Sequence, residues 1–176
     1  MKKIVLLFLI SIGLFGADLN LKSGSVAAHT EMLMDKTIDP LNNALQAQIT
    51  MQNGDITTMQ GKFWVEMSLF KSDKSDRDES MYKEVEALKY KLATYTISSV
   101  TKADGDTYKI KGKLDFHGVS KELEAKAKIT ATNSEVTLDA TSMILVSDYG
   151  IKMPCMVFMC VRDQVDLSVK ASFEIR

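Results

Sequence analysis

The side chains with the most varied potential chemistry lie close together near the C-terminus. Cys155 and Cys160 are the two cysteines of the chain, and Met153, Met156 and Met159 surround them. An even pair of cysteines suits a disulfide in an exported protein, provided that a tight turn brings the two Cα atoms within about 7 Å. Thiolates and thioethers are also the soft ligands that Cu(I) prefers. The pattern leaves three interpretations open: a disulfide, two free thiols, or a copper site.

The two histidines do not form a recognisable metal or catalytic site. His29 and His117 are far apart in sequence, and neither has a cysteine or second histidine at metal-ligand spacing. His117 precedes Gly118 at an expected turn, so we expect it to be exposed. A glycine-rich phosphate loop and a Gly-x-Ser-x-Gly elbow are both missing from the sequence. We therefore expect a protein that is not an enzyme, with no catalytic residues, no metal and no cofactor.

A charged segment around Arg77 mixes acidic and basic side chains over residues 71–79. Its spacing does not match a calcium-binding EF-hand loop, which needs ligands at alternating positions and a central glycine. We expect a solvated loop that leads into a helix, and the alternative is an Arg77 ion pair that holds this helix in place. Trp64 lies on the polar side of its strand. It either packs beneath the helix or marks a subunit contact.

The elements that must position these residues are mostly β-strands. Apolar and polar residues alternate in eight stretches, namely 26–32, 45–51, 62–69, 94–98, 108–116, 122–131, 136–146 and 161–175. A period of two places the two sets on opposite faces of a strand. Glycine and asparagine mark expected turns at 53–55, 104–106, 117–118 and 133–134. The exception is 76–88, where Met81, Val85 and Leu88 predict a short surface helix.

One apolar face per strand predicts antiparallel strands around a single interior, as either a closed barrel or a sandwich. The inward set of 122–131 consists of Leu123, Ala125, Ala127, Ile129 and Ala131, which are mostly small. Small inward side chains leave room, so they favour a barrel with an apolar cavity. An alkyl or isoprenoid chain would be the natural occupant of such a cavity.

Composition and charge indicate one folded domain and argue against nucleic-acid binding. The 176 residues are 45% hydrophobic and 26% charged, which is typical of one folded domain. There are 22 basic and 23 acidic residues, for a net charge of -1. Nucleic-acid binding requires a basic surface, and this composition supplies no such excess.

The first residues have the order of an export signal. A basic start at Lys2 and Lys3 is followed by the apolar run 4–15 and by the small residues Gly16 and Ala17. This order predicts a Sec signal peptide over residues 1–17, followed by one domain over residues 18–176. The apolar run is shorter than the roughly 20 residues that span a bilayer, although a retained N-terminal anchor is the alternative. We expect a periplasmic protein without stable membrane insertion.

Four segments together resemble a known family. They are 61–69 with the Arg-Asp pair in 75–79, the strand 91–100, the hairpin 110–121 and the turn 147–151. The hairpin is similar to a Gly-x-Leu-Thr-x-x-Gly-Val-Thr-Lys motif, and the turn Ser-Asp-Tyr-Gly-Ile to a Ser-Asp-Phe-Gly-Ile motif. These motifs, in this order, resemble the YceI-like family of bacterial periplasmic proteins. The resemblance implies an all-β, eight-stranded antiparallel, lipocalin-like barrel with one short helix. It also implies that the barrel binds polyisoprenoid or other long-chain lipids, often as a homodimer.

These expectations describe a periplasmic binding protein that holds a long apolar or amphiphilic chain, isoprenoid or fatty-acid-like, and shields it from water. The alternatives are a redox or copper-handling protein that uses Cys155 and Cys160 with the nearby methionines, and an interaction module with a solid core. In each strand, the apolar set of alternating residues is expected to face inward, which we call the inward parity of the strand. This parity and the resemblance give fifteen candidate residues for the wall of the cavity: Val65, Met67, Tyr95, Ile97, Ile110, Leu114, Phe116, Ala125, Ala127, Ile129, Val136, Leu138, Val165, Leu167 and Val169.

Overall fold

The computed structural model describes residues 16–32, 36–156 and 159–175. The expected export signal, residues 1–17, thus lies outside the described residues except for Gly16 and Ala17, which begin the first strand. In the described residues the strands are β1 (Gly16–Met32), β2 (Lys36–Ile38), β3 (Leu41–Asn42), β4 (Gln46–Gln52), β5 (Asp55–Glu66), β6 (Leu92–Asp104), β7 (Thr107–Phe116), β8 (Val119–Ala131), β9 (Glu135–Leu145), β10 (Cys155–Met156), β11 (Met159–Cys160) and β12 (Gln164–Ile175).

Eight of these strands close into a barrel. Their order is β12-β9-β8-β7-β6-β5-β4-β1, and pairing of β1 with β12 joins the two ends. Every neighbouring pair is antiparallel. Closure removes the exposed strand edges that an open sheet would present. The predicted eight-stranded antiparallel barrel with one helix is confirmed.

The alternating sequence explains which side chains fill the barrel. In β7, the even-numbered positions from Tyr108 to Phe116 are buried, whereas the three lysines between them are exposed. Glu124 on β8 lies 3.3 Å from the Nζ atom of Lys109 on the outer surface. The turn between β7 and β8 has positive φ at both His117 and Gly118, as a two-residue hairpin with the right-handed strand twist requires.

The two ends of the barrel are filled differently. At the end that carries the β4–β5, β6–β7 and β8–β9 turns, six large side chains are at most 2% exposed: Ile49, Met51, Met59, Ile129, Val136 and Phe173. At the other end, the connecting segments apart from the two-residue β7–β8 turn are longer, and they include the helix α1 (Ser75–Glu84) and short 3-10 helices at Met67–Leu69 and Val146–Tyr149. We call the end with the six buried side chains the packed end and the end with the helix the α1 end.

The helix is shorter than predicted, because it ends at Glu84 rather than at residue 88. Glu86 has a positive φ of 45°, which a continuing right-handed helix does not allow. Leu88 therefore leaves the helical pattern and is 90% exposed. No helix in the described ranges is long and apolar enough to cross a membrane.

Candidate ligand-binding cavity

The interior of the α1 end is a cavity of about 600 Å³. Seven barrel strands contribute to its wall, and their inward side chains there are almost all hydrocarbon. Eleven of the fifteen candidate wall residues line it: Val65, Met67, Tyr95, Ile110, Leu114, Phe116, Ala125, Leu138, Val165, Leu167 and Val169.

The other four candidates, Ile97, Ala127, Ile129 and Val136, are buried but do not line the cavity. They face inward, as their parity predicts, and belong to the continuous hydrophobic core. Parity specifies which face of the sheet a residue occupies, whereas its depth along the barrel depends on how the strands are staggered.

Two aromatic rings meet at the bottom of the cavity. Phe63 on β5 lines the cavity, and Phe173 on β12 is completely buried beneath it. Their ring centroids are 6.2 Å apart, in an edge-to-face arrangement. This pair separates the hollow part of the barrel from the packed end.

The wall also contains residues that were not among the candidates. Some, such as Ala140 and Ile144 on β9, share the inward parity of their strand and were accessible to the same reasoning. Others, including Met81 in α1, Val85 just after it and Ile151 in a loop, come from segments without strand periodicity. Their positions depend on long-range packing that a local pattern does not specify.

Tyr95 places a polar hydroxyl within the largely apolar wall. Its hydroxyl lies 3.0 Å from the carbonyl oxygen of Leu123 and 3.3 Å from that of Ile110, and it donates toward both. Burial raises the pKa of Tyr95 far above its usual value, so the phenol stays neutral. The hydroxyl is therefore satisfied by the barrel itself and does not require a polar ligand group.

The mouth of the cavity is bordered by α1 and carries its few charged groups. Asp76, Arg77 and Glu84 all contribute to the lining. The Arg77 guanidinium donates over 2.8 Å to the carboxylate of Asp73, which lies just before the helix, so this ion pair joins the helix to the residues that precede it rather than to the barrel.

Other contacts fix the helix against the preceding segment. The buried Asp78 carboxylate accepts hydrogen bonds from the backbone N–H and the hydroxyl of Ser72, at 2.8 and 2.6 Å. The Tyr82 hydroxyl donates to the carbonyl oxygen of Phe70. Burial raises the pKa of Tyr82, which keeps this donor protonated.

Cys155 and Cys160 face each other across the β10–β11 pair and are joined by a disulfide bond. Met153, just before β10, borders the cavity. The side chains of Met156 and Met159 lie outside the described part of the structure. Copper ligation by the cysteines would require both sulfurs as thiolates, which this bond does not provide.

The two histidines lie outside the cavity wall but make specific contacts. His117 was expected to be exposed, yet only 12% of its side chain is accessible. Its Nδ1 donates to the Tyr149 carbonyl at 2.8 Å, and its Nε2 lies 3.0 Å from the Glu86 carboxylate. His29 is on the outer surface, with Nδ1 2.5 Å from Asp39. Neither arrangement places a histidine against the cavity.

The sequence profile of the YceI-like domain matches residues 19–173, which extend from β1 to β12. The chain belongs to the YceI-like family. No curated protein matches the sequence.

Several solved structures share the fold at low sequence identity. Burkholderia cenocepacia BcnA has a TM-score of 0.75 and 16% identity, covering 85% of this chain and 95% of BcnA. A polyisoprenoid-binding domain from Saccharophagus degradans, implicated in plant cell wall breakdown, has a TM-score of 0.69 and 12% identity, covering 91% and 98%. Campylobacter jejuni YceI has a TM-score of 0.62 and 16% identity, covering 83% and 85%. At these identities the likeness establishes the architecture.

Proposed function

We propose that this YceI-like protein is a binding protein, not an enzyme, and that it holds a long apolar chain in the α1-end cavity. The chain is isoprenoid or fatty-acid-like. The observation that carries the proposal is the cavity of about 600 Å³ with a hydrocarbon wall. The name of the Saccharophagus degradans relative, a polyisoprenoid-binding domain, supports the same class of ligand.

The energetics favour a tail-like ligand. Transfer of apolar surface from water into such a cavity contributes roughly 25 cal/mol per Å². The wall makes almost no competing polar demand, because the hydroxyl of Tyr95 is already hydrogen-bonded to backbone carbonyl groups.

The proposed setting is the bacterial periplasm, with residues 1–17 as the export signal. The disulfide between Cys155 and Cys160 supports an oxidising compartment. Association as a homodimer remains a prediction of the family resemblance.

Native mass spectrometry and organic extraction of the purified protein test the proposal. We expect a bound hydrophobic molecule that is released by solvent. Repeated extraction of an empty protein that also takes up no added prenol or fatty alcohol would contradict the proposal.

A matched pair of variants locates the bound chain. Ala125→Trp puts an indole into the cavity from β8, whereas Lys126→Trp adds the same group on the outer face of that strand. We expect Ala125→Trp to reduce uptake and Lys126→Trp to leave it unchanged. Equal uptake by all three proteins would place the ligand elsewhere. Ala127 is unsuitable for this test because it lies in the tightly packed core.

A further inference from the structure

We infer that the cavity is selective for a single chain of about 20 carbons or fewer that carries an uncharged head group. This inference rests on the proposed function and narrows the ligand class within it. It depends on two independent features: where the cavity stops, and which charges surround its mouth.

The length limit comes from the packed end. A cavity of about 600 Å³ holds about 20 methylene-sized groups, if each needs roughly the 30 Å³ that a water molecule occupies in the liquid. Beyond the Phe63–Phe173 pair, Ile129 and Val136 leave at most 1% of their surface accessible, so the described residues leave no continuation of the cavity there. The remainder of a longer chain would stay in water and add no burial energy.

The head-group preference comes from the charges at the mouth. Asp76 and Glu84 border the cavity as carboxylates. Arg77 also borders it, but its guanidinium already contacts the Asp73 carboxylate. A phosphate or carboxylate head group would meet this acidic surface and be repelled, whereas an alcohol would not. The Ser80 hydroxyl, which donates to the Asp76 carbonyl oxygen, also borders the cavity and can accept a hydrogen bond from an alcohol.

A series of prenols tests the length limit. Geraniol, farnesol, geranylgeraniol and solanesol are presented from the same carrier detergent, and affinity is measured by displacement of a fluorescent fatty alcohol analogue. We expect affinity to rise from geraniol to geranylgeraniol, by at most about fourfold for each added methylene-sized group. We expect solanesol to bind no more tightly than geranylgeraniol. A clear further gain with solanesol would overturn the length limit and leave the proposed function intact. Failure of every prenol to bind would instead overturn the proposed function.

Variants at the cavity wall provide a second readout of length. Ala125→Phe shortens the cavity, so the prenol that binds most tightly should change from geranylgeraniol towards farnesol. Lys126→Phe places the same ring on the outer face and should leave geranylgeraniol as the prenol that binds most tightly. Phe173→Ala should extend the hollow and allow longer prenols to gain affinity. If Phe173→Ala does not fold, the Ala125→Phe comparison decides, and an unchanged optimum there overturns the inference.

The head-group preference is tested with geranylgeraniol and geranylgeranyl phosphate, which share one tail. We expect the phosphate to bind more weakly by about tenfold. The Asp76→Asn/Glu84→Gln variant should reduce this difference by binding the phosphate more tightly. Equal affinity for the two compounds in the unmodified protein would overturn this part of the inference.

Discussion

The phenol ring of Tyr95 lies directly over the α-carbon of Gly112 inside the barrel. A Cβ atom at position 112 would be 2.6 Å from the ring carbon that bears the hydroxyl, and 2.4 Å from the carbonyl oxygen of Thr96. The glycine thus gives the ring space to cross β7 and reach the Leu123 carbonyl on β8. The absence of a side chain at Gly112 thus allows the Tyr95 hydroxyl to take its position in the cavity wall.

Gly112→Ala should therefore destabilise the protein, by roughly 1–3 kcal/mol. Both the Tyr95 ring and a backbone carbonyl oxygen must move to admit the methyl group, so a side-chain rotation alone does not relieve the clash. Urea unfolding measures the change in the free energy of unfolding. Tyr95→Phe is the control, because it removes only the hydroxyl, and we expect a loss of about 1 kcal/mol. An unaltered midpoint for Gly112→Ala would show that the ring does not depend on this space.

Replacing valine with alanine should lower the free energy of unfolding by different amounts at the two ends of the barrel. Val136 is completely buried beside Phe173, whereas Val169 borders the cavity. We expect Val136→Ala to lower the free energy of unfolding by roughly 2 kcal/mol, because it creates a new void. Val169→Ala only enlarges an existing space, and we expect about half that cost. Thermal and urea unfolding of the two variants give the comparison, and equal costs would contradict the distinction between the ends.

The His29–Asp39 contact should make stability depend on pH. The hydrogen bond to Asp39 raises the pKa of His29 above 6.5, and the same bond lowers the pKa of Asp39 below 3.8. For His29, the folded-state pKa exceeds the unfolded one, so its contribution is full below about pH 6.5 and is lost as pH rises through the folded value. For Asp39, the contribution is present above about pH 3.8 and is lost as pH falls through its lowered value.

His29→Gln removes this contribution and measures it. The side chains of His29 and Asp39 are 40% and 59% exposed, so solvent screening limits the effect to at most about 1 kcal/mol. We expect His29→Gln to be less stable than the unmodified protein near about pH 5.5, and the difference to vanish near about pH 8.5. Asp39→Asn should show the same acidic deficit. A stability difference between His29→Gln and the unmodified protein that grows with increasing pH would contradict this prediction.

The disulfide between Cys155 and Cys160 should add a modest stability. The two cysteines are five residues apart, so the bond closes a small loop and restricts the unfolded chain by about 2 kcal/mol in the chain-entropy description. We expect a reductant to lower the urea midpoint of the unmodified protein and to have no effect on the Cys155→Ser/Cys160→Ser variant. Native protein should react with no thiol reagent before reduction. Two thiols that titrate without reduction would show that the bond is not formed.

The fold could be predicted from the sequence because its main determinant is local. Alternation along single strands, as in β7, assigns each residue to one face, and the turn at His117 and Gly118 follows from residue types that tolerate positive φ. The helix boundary was less accessible. Glu86 ends the helical path, although its side chain is a good helix former.

The depth of the cavity could not be predicted in the same way. Ala125 and Ala127 have the same residue type and the same parity on one strand, yet only Ala125 borders the cavity. Ala127 lies opposite Tyr108 on β7 and Ala140 on β9, so its surroundings are set by the register of three strands. His117 illustrates the same limit, because its partners Tyr149 and Glu86 are about 30 residues away on either side.

The Phe63–Phe173 pair gives the barrel the form of a blind well rather than a through-passage. A molecule inserted tail-first from the α1 end must withdraw head-first by the same route. Under the proposed function, the ligand therefore cannot pass through the barrel, and its binding and its release have to occur at the same end. A molecule that supplies the ligand and one that takes it up would then compete for the same rim.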